Sequence, residues 1–463
     1  MRHHCNPVHV VSWPEWLCTT MRQRLFIVMA ALLLLCHTLS VQSAADTPQA
    51  PEAWTLSAAG GASQDTTLVG GIHRRPITGS VVEYSWQVRV GLGAHDIIGI
   101  HRVVQEIAPF VPKPTAKAVL MAHGDVWGFD AAFLASLAST NIPDSKALPV
   151  FLAQNNVDVW GIDFRWTLVP LETTDFGFMQ AWDIGTDVHD LRLALLIARL
   201  TRLVTGSGFG KIHLLGWSRG GMTGYAYLSA ETQSPVRHVR GFIPVDIFVK
   251  TDKADLRQAA CDRFAVQQAQ LNKGIFHDTT GLLISTVGTS AATAPDGPSS
   301  VIPGLTNLQA ALFLGTSTFN LFQPVPFYHF TGGEVDAETG LRTNLLYTQE
   351  EFWIDFLQGA APYEPVNIFA QGEALICDEM DLPYDDHLAE ITVPTLYVGA
   401  GGGFGEFGEY TTTLLGSTDV TIHLVDLRPD EQRIEDVGHA DLFLADDAQN
   451  LVWKPILDWI KSH

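Results

Sequence analysis

Ser218 sits in Gly216-Trp217-Ser218-Arg219-Gly220-Gly221, between the apolar run Ile212-His213-Leu214-Leu215 and a stretch with helical patterning. A serine hydroxyl becomes a nucleophile when a base takes its proton, and it meets substrate when a tight turn holds it out from the backbone. Small residues on either side permit that turn, and a helix starting there aims its first amides at developing negative charge. The candidate base is His439, in Val437-Gly438-His439-Ala440-Asp441. It follows the last strand, and from such a loop an imidazole can reach a serine lodged after an earlier strand. Upstream, Ala118-Val119-Leu120-Met121-Ala122 runs into His123-Gly124-Asp125. The backbone N–H groups of Asp125 and Arg219 are candidates to hold an oxyanion. His123 itself reads as a structural histidine that supports the turn.

A base needs an acid to fix its tautomer, and two positions offer one. Asp246 ends Gly241-Phe242-Ile243-Pro244-Val245-Asp246, at the expected end of a strand. Glu406 lies several residues beyond Gly399-Ala400-Gly401-Gly402-Gly403, a turn without any carboxylate. Asp246 is the preferred candidate and Glu406 the alternative. Trp127, Trp166 and Trp217 lie beside these loops and are candidates for a pocket wall. There is no His-Glu-x-x-His pattern and no grouping of cysteines as zinc ligands, so no metal and no cofactor is expected.

The elements that must position these groups follow in order. Tyr84 to Val90, Ile97 to Glu106 and Ala118 to Ala122 read as strands without an intervening helix. Then strand and helix alternate: Val157 to Phe164, Val188 to Val204, Lys211 to Gly216, Met222 to Ala230, and Gly241 to Asp246. The alternation stops from residue 250 to 388 and resumes with Thr395 to Val398, Val420 to Val425 and a helix over Leu451 to Ile460. This predicts an α/β fold whose sheet begins antiparallel and continues parallel, covered by helices. The interruption reads as a mainly helical cap. Its aromatic residues, Phe313, Phe319, Phe322, Phe327, Tyr328, Phe330, Phe352, Trp353 and Phe356, could line an apolar pocket.

Taken together, the serine turn, the His-Gly turn and the late histidine resemble the α/β-hydrolase superfamily, in its serine esterase and lipase branch. The resemblance spans residues 80 to 460, with the cap inserted between strands 6 and 7 of the sheet. It implies Ser218 as nucleophile, His439 as base, and Asp125 and Arg219 as oxyanion amides. The implied activity is cleavage of carboxylic esters through an acyl-enzyme, and the aromatic cap suggests an apolar substrate. A non-catalytic binding protein on the same scaffold, a cofactor-free haloperoxidase and a C–C hydrolase remain alternatives. A further alternative is a dinucleotide-dependent oxidoreductase. Gly403-x-Gly405-x-x-Gly408 after a strand, with Asp426 ending the next, has the outline of a nucleotide-binding turn. Against it, Glu409-Tyr410-Thr411-Thr412-Thr413 is a poor helix former.

The remaining expectations concern the ends and the exterior. Residues 1–20 read as sequence upstream of a start at Met21, and residues 21–45 as a signal peptide. Arg22 and Arg24 precede the apolar run Leu25 to Cys36, and Ser43-Ala44-Ala45 closes it. Residues 46–79 read as a leader, 80–249 and 389–463 as the two parts of the core, and 250–388 as the cap. Export to a secreted or periplasmic location would let Cys261 and Cys377 form a disulfide. The formal charge of -22 disfavours nucleic acid and anionic membrane surfaces as partners. The expected partner is a small or lipophilic ester.

Overall fold

Val81 to Arg89, Ile97 to Ala108 and the later strands carry β-branched and aromatic residues that find their partners in one twisted sheet. In the computed structural model this sheet comprises β1 (Thr67–Thr78), β2 (Val81–Arg89), β3 (Ile97–Ala108), β4 (Lys117–Ala122), β5 (Val157–Asp163), β6 (Ile212–Trp217), β7 (Val239–Val245), β8 (Thr395–Ala400) and β9 (Val420–Val425). Its order is β1-β2-β3-β5-β4-β6-β7-β8-β9, with the short Val111–Pro112 strand beside β3. The β2–β3 and β3–β5 pairs are antiparallel, and every pair from β5–β4 to β8–β9 is parallel. The structure describes residues 67–134, 142–143, 146–318, 328–336, 338 and 342–463. The signal-peptide reading, with residues 1–45, and the cap aromatics Phe319, Phe322 and Phe327 lie outside them.

Parallel strands need covered faces, and β4 to β8 are accordingly almost continuous apolar runs. Two apolar layers result. One face packs with Trp127, Trp217, Trp353 and Trp459; the other packs with Trp160, Trp166 and Trp182 and with helices α1 (Ile184–Val204) and α2 (Arg219–Thr232). Asp183 caps α1, its side chain accepting from the N–H of Thr186.

Between β7 and β8 the chain forms helices α3 (Ala254–Asn272), α4 (Thr280–Thr293), α5 (Asn307–Thr316), α6 (Glu350–Gln358) and α7 (Val366–Cys377). Two small sheets join them: Gly333–Val335 with Arg342–Leu345, and His277–Asp278 with Glu364–Pro365. A disulfide between Cys261 and Cys377 ties α3 to α7.

Two readings need correction. The leader assigned to residues 46–79 contains β1, which joins the sheet edge beside β2. Its Gly-Gly-Ile-His-Arg-Arg-Pro stretch lacks apolar alternation because an edge strand is largely open to water. Glu409 to Thr413, read as a poor helix former, lies in a short helix, α8 (Phe407–Thr413). Its Thr411 hydroxyl oxygen accepts from the N–H groups of Val249 and Lys250 and donates to the Lys250 carbonyl, so tertiary bonds override weak propensity.

Candidate active site

Ser218 occupies the junction of β6 and α2 with φ 54° and ψ -128°, a left-handed conformation that a non-glycine residue rarely adopts. The surroundings enforce it. The Ser218 N–H donates to the Val245 carbonyl at 2.9 Å, and the Ser218 carbonyl accepts from Gly221 N–H at 2.8 Å. A Cβ at Gly216 would collide with the Gly220 carbonyl, and one at Gly220 would collide with the Ala122 carbonyl. Glycine at these positions lets β6, α2 and the end of β4 approach closely enough to form the turn.

His439 is held from two sides. Its N–H donates to the His329 carbonyl at 2.9 Å, and the N–H of Ala440 donates to the Phe330 carbonyl at 2.8 Å. Its ring lies among Trp217, Tyr328, Phe330 and Phe404, with Trp217 stacked at a centroid distance of 4.8 Å. Nδ1 lies 2.6 Å from Oδ2 of Asp246. Asp246, fully buried and also at positive φ, accepts from the N–H groups of Ala400 and Gly405 on Oδ1 and from Phe404 on Oδ2. All these bonds use the carboxyl oxygens as acceptors, so Nδ1 carries the proton and Nε2 is left as the basic nitrogen.

The alternative acid does not reach the histidine. Glu406 is 61% exposed and pairs with Arg433. The glycine turn that precedes it serves Asp246 instead. A Cβ at Gly403 would collide with the Asp246 carboxylate, Gly405 donates to it from φ 43°, and Gly408 leaves room for the Tyr397 hydroxyl. Each glycine of the apparent nucleotide-binding outline therefore has a packing partner within the fold.

Asp125 and Arg219 stand side by side at the end of β4 and the start of α2. Among the described residues, neither backbone N–H has a protein acceptor; for Arg219 this follows because first-turn amides of a helix lack intrahelical partners. Their side chains, which sequence reasoning passed over, pair through Arg219 Nε and Oδ1 of Asp125, and Nη2 lies 3.3 Å from Oδ2. Burial works against the guanidinium charge, yet Asp125 beside it raises its pKa above the ordinary value. His123 is buried, with Nδ1 2.9 Å from the Gly124 carbonyl and Nε2 accepting from the Phe164 N–H at 3.3 Å. Burial lowers its pKa, and its place is under the turn.

Ser218 and His439 line a single cavity of about 310 Å³, together with Asp125, Arg219, Trp127 and Trp217. Tyr328 and Phe330 also line it, whereas Phe313, Phe352, Trp353 and Phe356 do not. Trp166 requires correction. It is buried beneath the His-Gly turn, edge-on to His123 at 5.2 Å, because the short helix Arg165–Leu168 turns it into the core. Elsewhere, Glu83, His101 and Asp130 bring ligand-type atoms within 4.8 Å of one another. His101 Nδ1 is engaged there by Glu83 at 2.7 Å.

No family model and no curated protein matches this chain. Solved structures do. A candidate lipase from Sulfolobus solfataricus aligns over 86% of this chain and 99% of its own, with a TM-score of 0.59 at 20% identity. A soluble variant of monoglyceride lipase from Saccharomyces cerevisiae aligns over 87% and 98%, with a TM-score of 0.46 at 12% identity. The first likeness, together with the strand order and the serine turn between β6 and α2, decides the fold. This chain has the α/β-hydrolase fold. In that fold the catalytic loops gather at the carboxyl edge of the parallel strands. Here that edge carries Asp125 after β4, Ser218 after β6, Asp246 after β7 and His439 after β9.

Proposed function

We propose that the protein is an exported serine hydrolase that cleaves carboxylic esters. The observation that carries this reading is the convergence of a strained serine and an acid-fixed histidine on one cavity. In this mechanism His439 Nε2 takes the proton of Ser218 as Oγ attacks the ester carbonyl. The N–H groups of Asp125 and Arg219 receive the oxyanion. Asp246 holds Nδ1–H and stabilises the imidazolium. His439 then gives the proton to the leaving alcohol, and a water that it activates releases the acid from the acyl-enzyme.

The segment between β7 and β8 serves as a cap in this reading. Its helices α3, α4 and α7 supply much of the cavity wall, and Trp127, Trp217, Tyr328 and Phe330 supply aromatic surface for the acyl or alcohol group. Export accords with the Cys261–Cys377 disulfide, since such bonds persist in oxidising compartments. Among the described residues no helix is long and apolar enough to cross a membrane.

A fluorophosphonate probe tests the nucleophile. The wild type is expected to be labelled and Ser218→Ala to remain unlabelled. An unreactive wild type, or equal labelling of the variant, would sink the hydrolase reading. A series of p-nitrophenyl esters of increasing chain length then measures the apolar site, and a strict preference for acetate would count against it.

A further inference from the structure

The part of the cavity wall formed by α3 and α7 carries polar groups among apolar ones. Arg263, Gln267 and Gln270 lie along one side of α3, at helical spacing, and Val366, Phe369, Glu373 and Ile376 lie along one side of α7. Arg263 and Glu373 join the two helices through a bidentate pair, with Nε to Oε1 at 2.7 Å and Nη2 to Oε2 at 2.8 Å. Asp278 and Glu364 come from the small sheet between them. The Asp125–Arg219 pair continues this wall to the serine turn, and Arg219 lies over the Phe369 ring at 4.5 Å.

Two oxygens in this wall are buried without any hydrogen-bond partner: Oε2 of Glu364 and Oε1 of Gln267. Glu364 is 3% exposed and lines the cavity. Buried polar oxygens are normally satisfied, and leaving one unpaired is costly. A fold that only needed to close an apolar pocket would have gained by leucine at either position. Burial first, and then the nearby charge of Asp125, push the Glu364 carboxyl well above the ordinary carboxylate range, a direction that favours its protonated form. The wall sets Asp125, Asp278, Glu364 and Glu373 against Arg219 and Arg263, an excess of acidic groups that disfavours anionic substrates. A hydroxyl group suits either oxygen, because it can accept from a protonated carboxyl or donate to a carboxylate or amide oxygen.

We propose that Glu364, with Gln267, is a specificity-determining residue that hydrogen-bonds a hydroxyl group of the substrate, making the preferred substrate an uncharged hydroxylated ester. This rests on the serine-hydrolase reading above. The apolar part of such an ester lies against the aromatic wall around His439, and the hydroxylated part lies against α3 and α7.

The test compares kcat/KM for esters that differ by one hydroxyl. One pair is 2-hydroxyethyl butyrate and ethyl butyrate, with the hydroxyl on the alcohol; the other is ethyl 3-hydroxybutyrate and ethyl butyrate, with it on the acid. The wild type is expected to favour the hydroxylated member of at least one pair by about tenfold, the worth of one good hydrogen bond. In Glu364→Leu that ratio falls toward one, and in Glu364→Gln, which keeps a donor and an acceptor, most of it remains. Gln267→Leu lowers the same ratio. Fluorophosphonate labelling is run on every variant. Labelled wild-type enzyme with a ratio near one in both pairs overturns the specificity proposal alone. So does a ratio unchanged in labelled Glu364→Leu. An unlabelled wild type overturns the hydrolase reading and this proposal with it.

Discussion

Asp246 illustrates how much of a site can depend on one carboxylate and the backbone around it. It binds His439 and also collects N–H groups from Ala400, Phe404 and Gly405, so it clamps the turn after β8 to the end of β7. Asp246→Asn is expected to lower kcat on a reactive p-nitrophenyl ester by about 10³–10⁴, as for the loss of a triad acid. Glu406→Gln should leave kcat unaltered and change stability by about 0.5 kcal/mol or less, as surface changes do. Equal kinetic losses in the two would overturn the assignment. Gly403→Ala offers a sharper probe, since its methyl group has nowhere to go except into the Asp246 carboxylate. Overpacking of this kind costs about 1–3 kcal/mol, which denaturant unfolding would register, and kcat should fall with it because the histidine loses its anchor.

At the level of elements, β2, β3 and β5 are riveted by His101, which places Nδ1 2.7 Å from Glu83 and Nε2 2.8 Å from Asp163. Burial opposes its charge, but Asp163 and Asp130 raise its pKa well above the ordinary histidine value. Burial likewise opposes the charge on the two partners, yet His101 holds both Glu83 and Asp163 down at about 2. A raised histidine contributes fully below about pH 6.5 and loses its contribution as pH rises through the folded value. The depressed carboxylates contribute above their ordinary range and lose that contribution as pH falls toward 2. His101→Gln is therefore expected to cost about 3–5 kcal/mol at pH 7, the usual effect of breaking a buried pair. Urea unfolding should show the gap to wild type narrowing at alkaline pH, and a constant gap would refute the charged rivet. The strands that carry this cluster were legible because their β-branched runs end at glycines or polar turns. The strand β1 was not, since Arg74 and Arg75 face acids, Glu106 and Glu83, that only the folded sheet supplies. The serine turn and the histidine loop could be read from local sequence. The acid could not be settled that way, because the deciding glycines lie more than 150 residues downstream of Asp246. The polar wall was hidden for the same reason: Arg263 and Glu373 are 110 residues apart, and only helical spacing on two separate elements aligns them.

For the molecule as a whole, the site depends on how firmly the segment between β7 and β8 is held over the sheet. Its own hydrophobic contacts are continuous with both core layers, through Ile284, Trp353 and Leu357 on one side and Leu256, Ile368 and Leu375 on the other. The disulfide adds a covalent constraint across a sequence separation of 116 residues, between the two helices that carry the polar wall. Closing a loop of that length restricts the unfolded chain enough to stabilise the fold by about 2–5 kcal/mol. Replacing both cysteines by serine should therefore lower the stability read by chemical denaturation by that order. Dithiothreitol should have the same effect on wild type and none on the variant. The groups proposed for catalysis lie after β4, β6, β7 and β9, outside the bonded helices, so fluorophosphonate labelling of Ser218 should persist in the variant at temperatures where it remains folded. The hydroxyl preference, by contrast, depends on Arg263 and Glu373 keeping α3 against α7, and should weaken before labelling does as temperature rises. If labelling and hydroxyl preference are instead lost together at one temperature, the wall and the triad unfold as a single unit and the disulfide contributes to global stability alone.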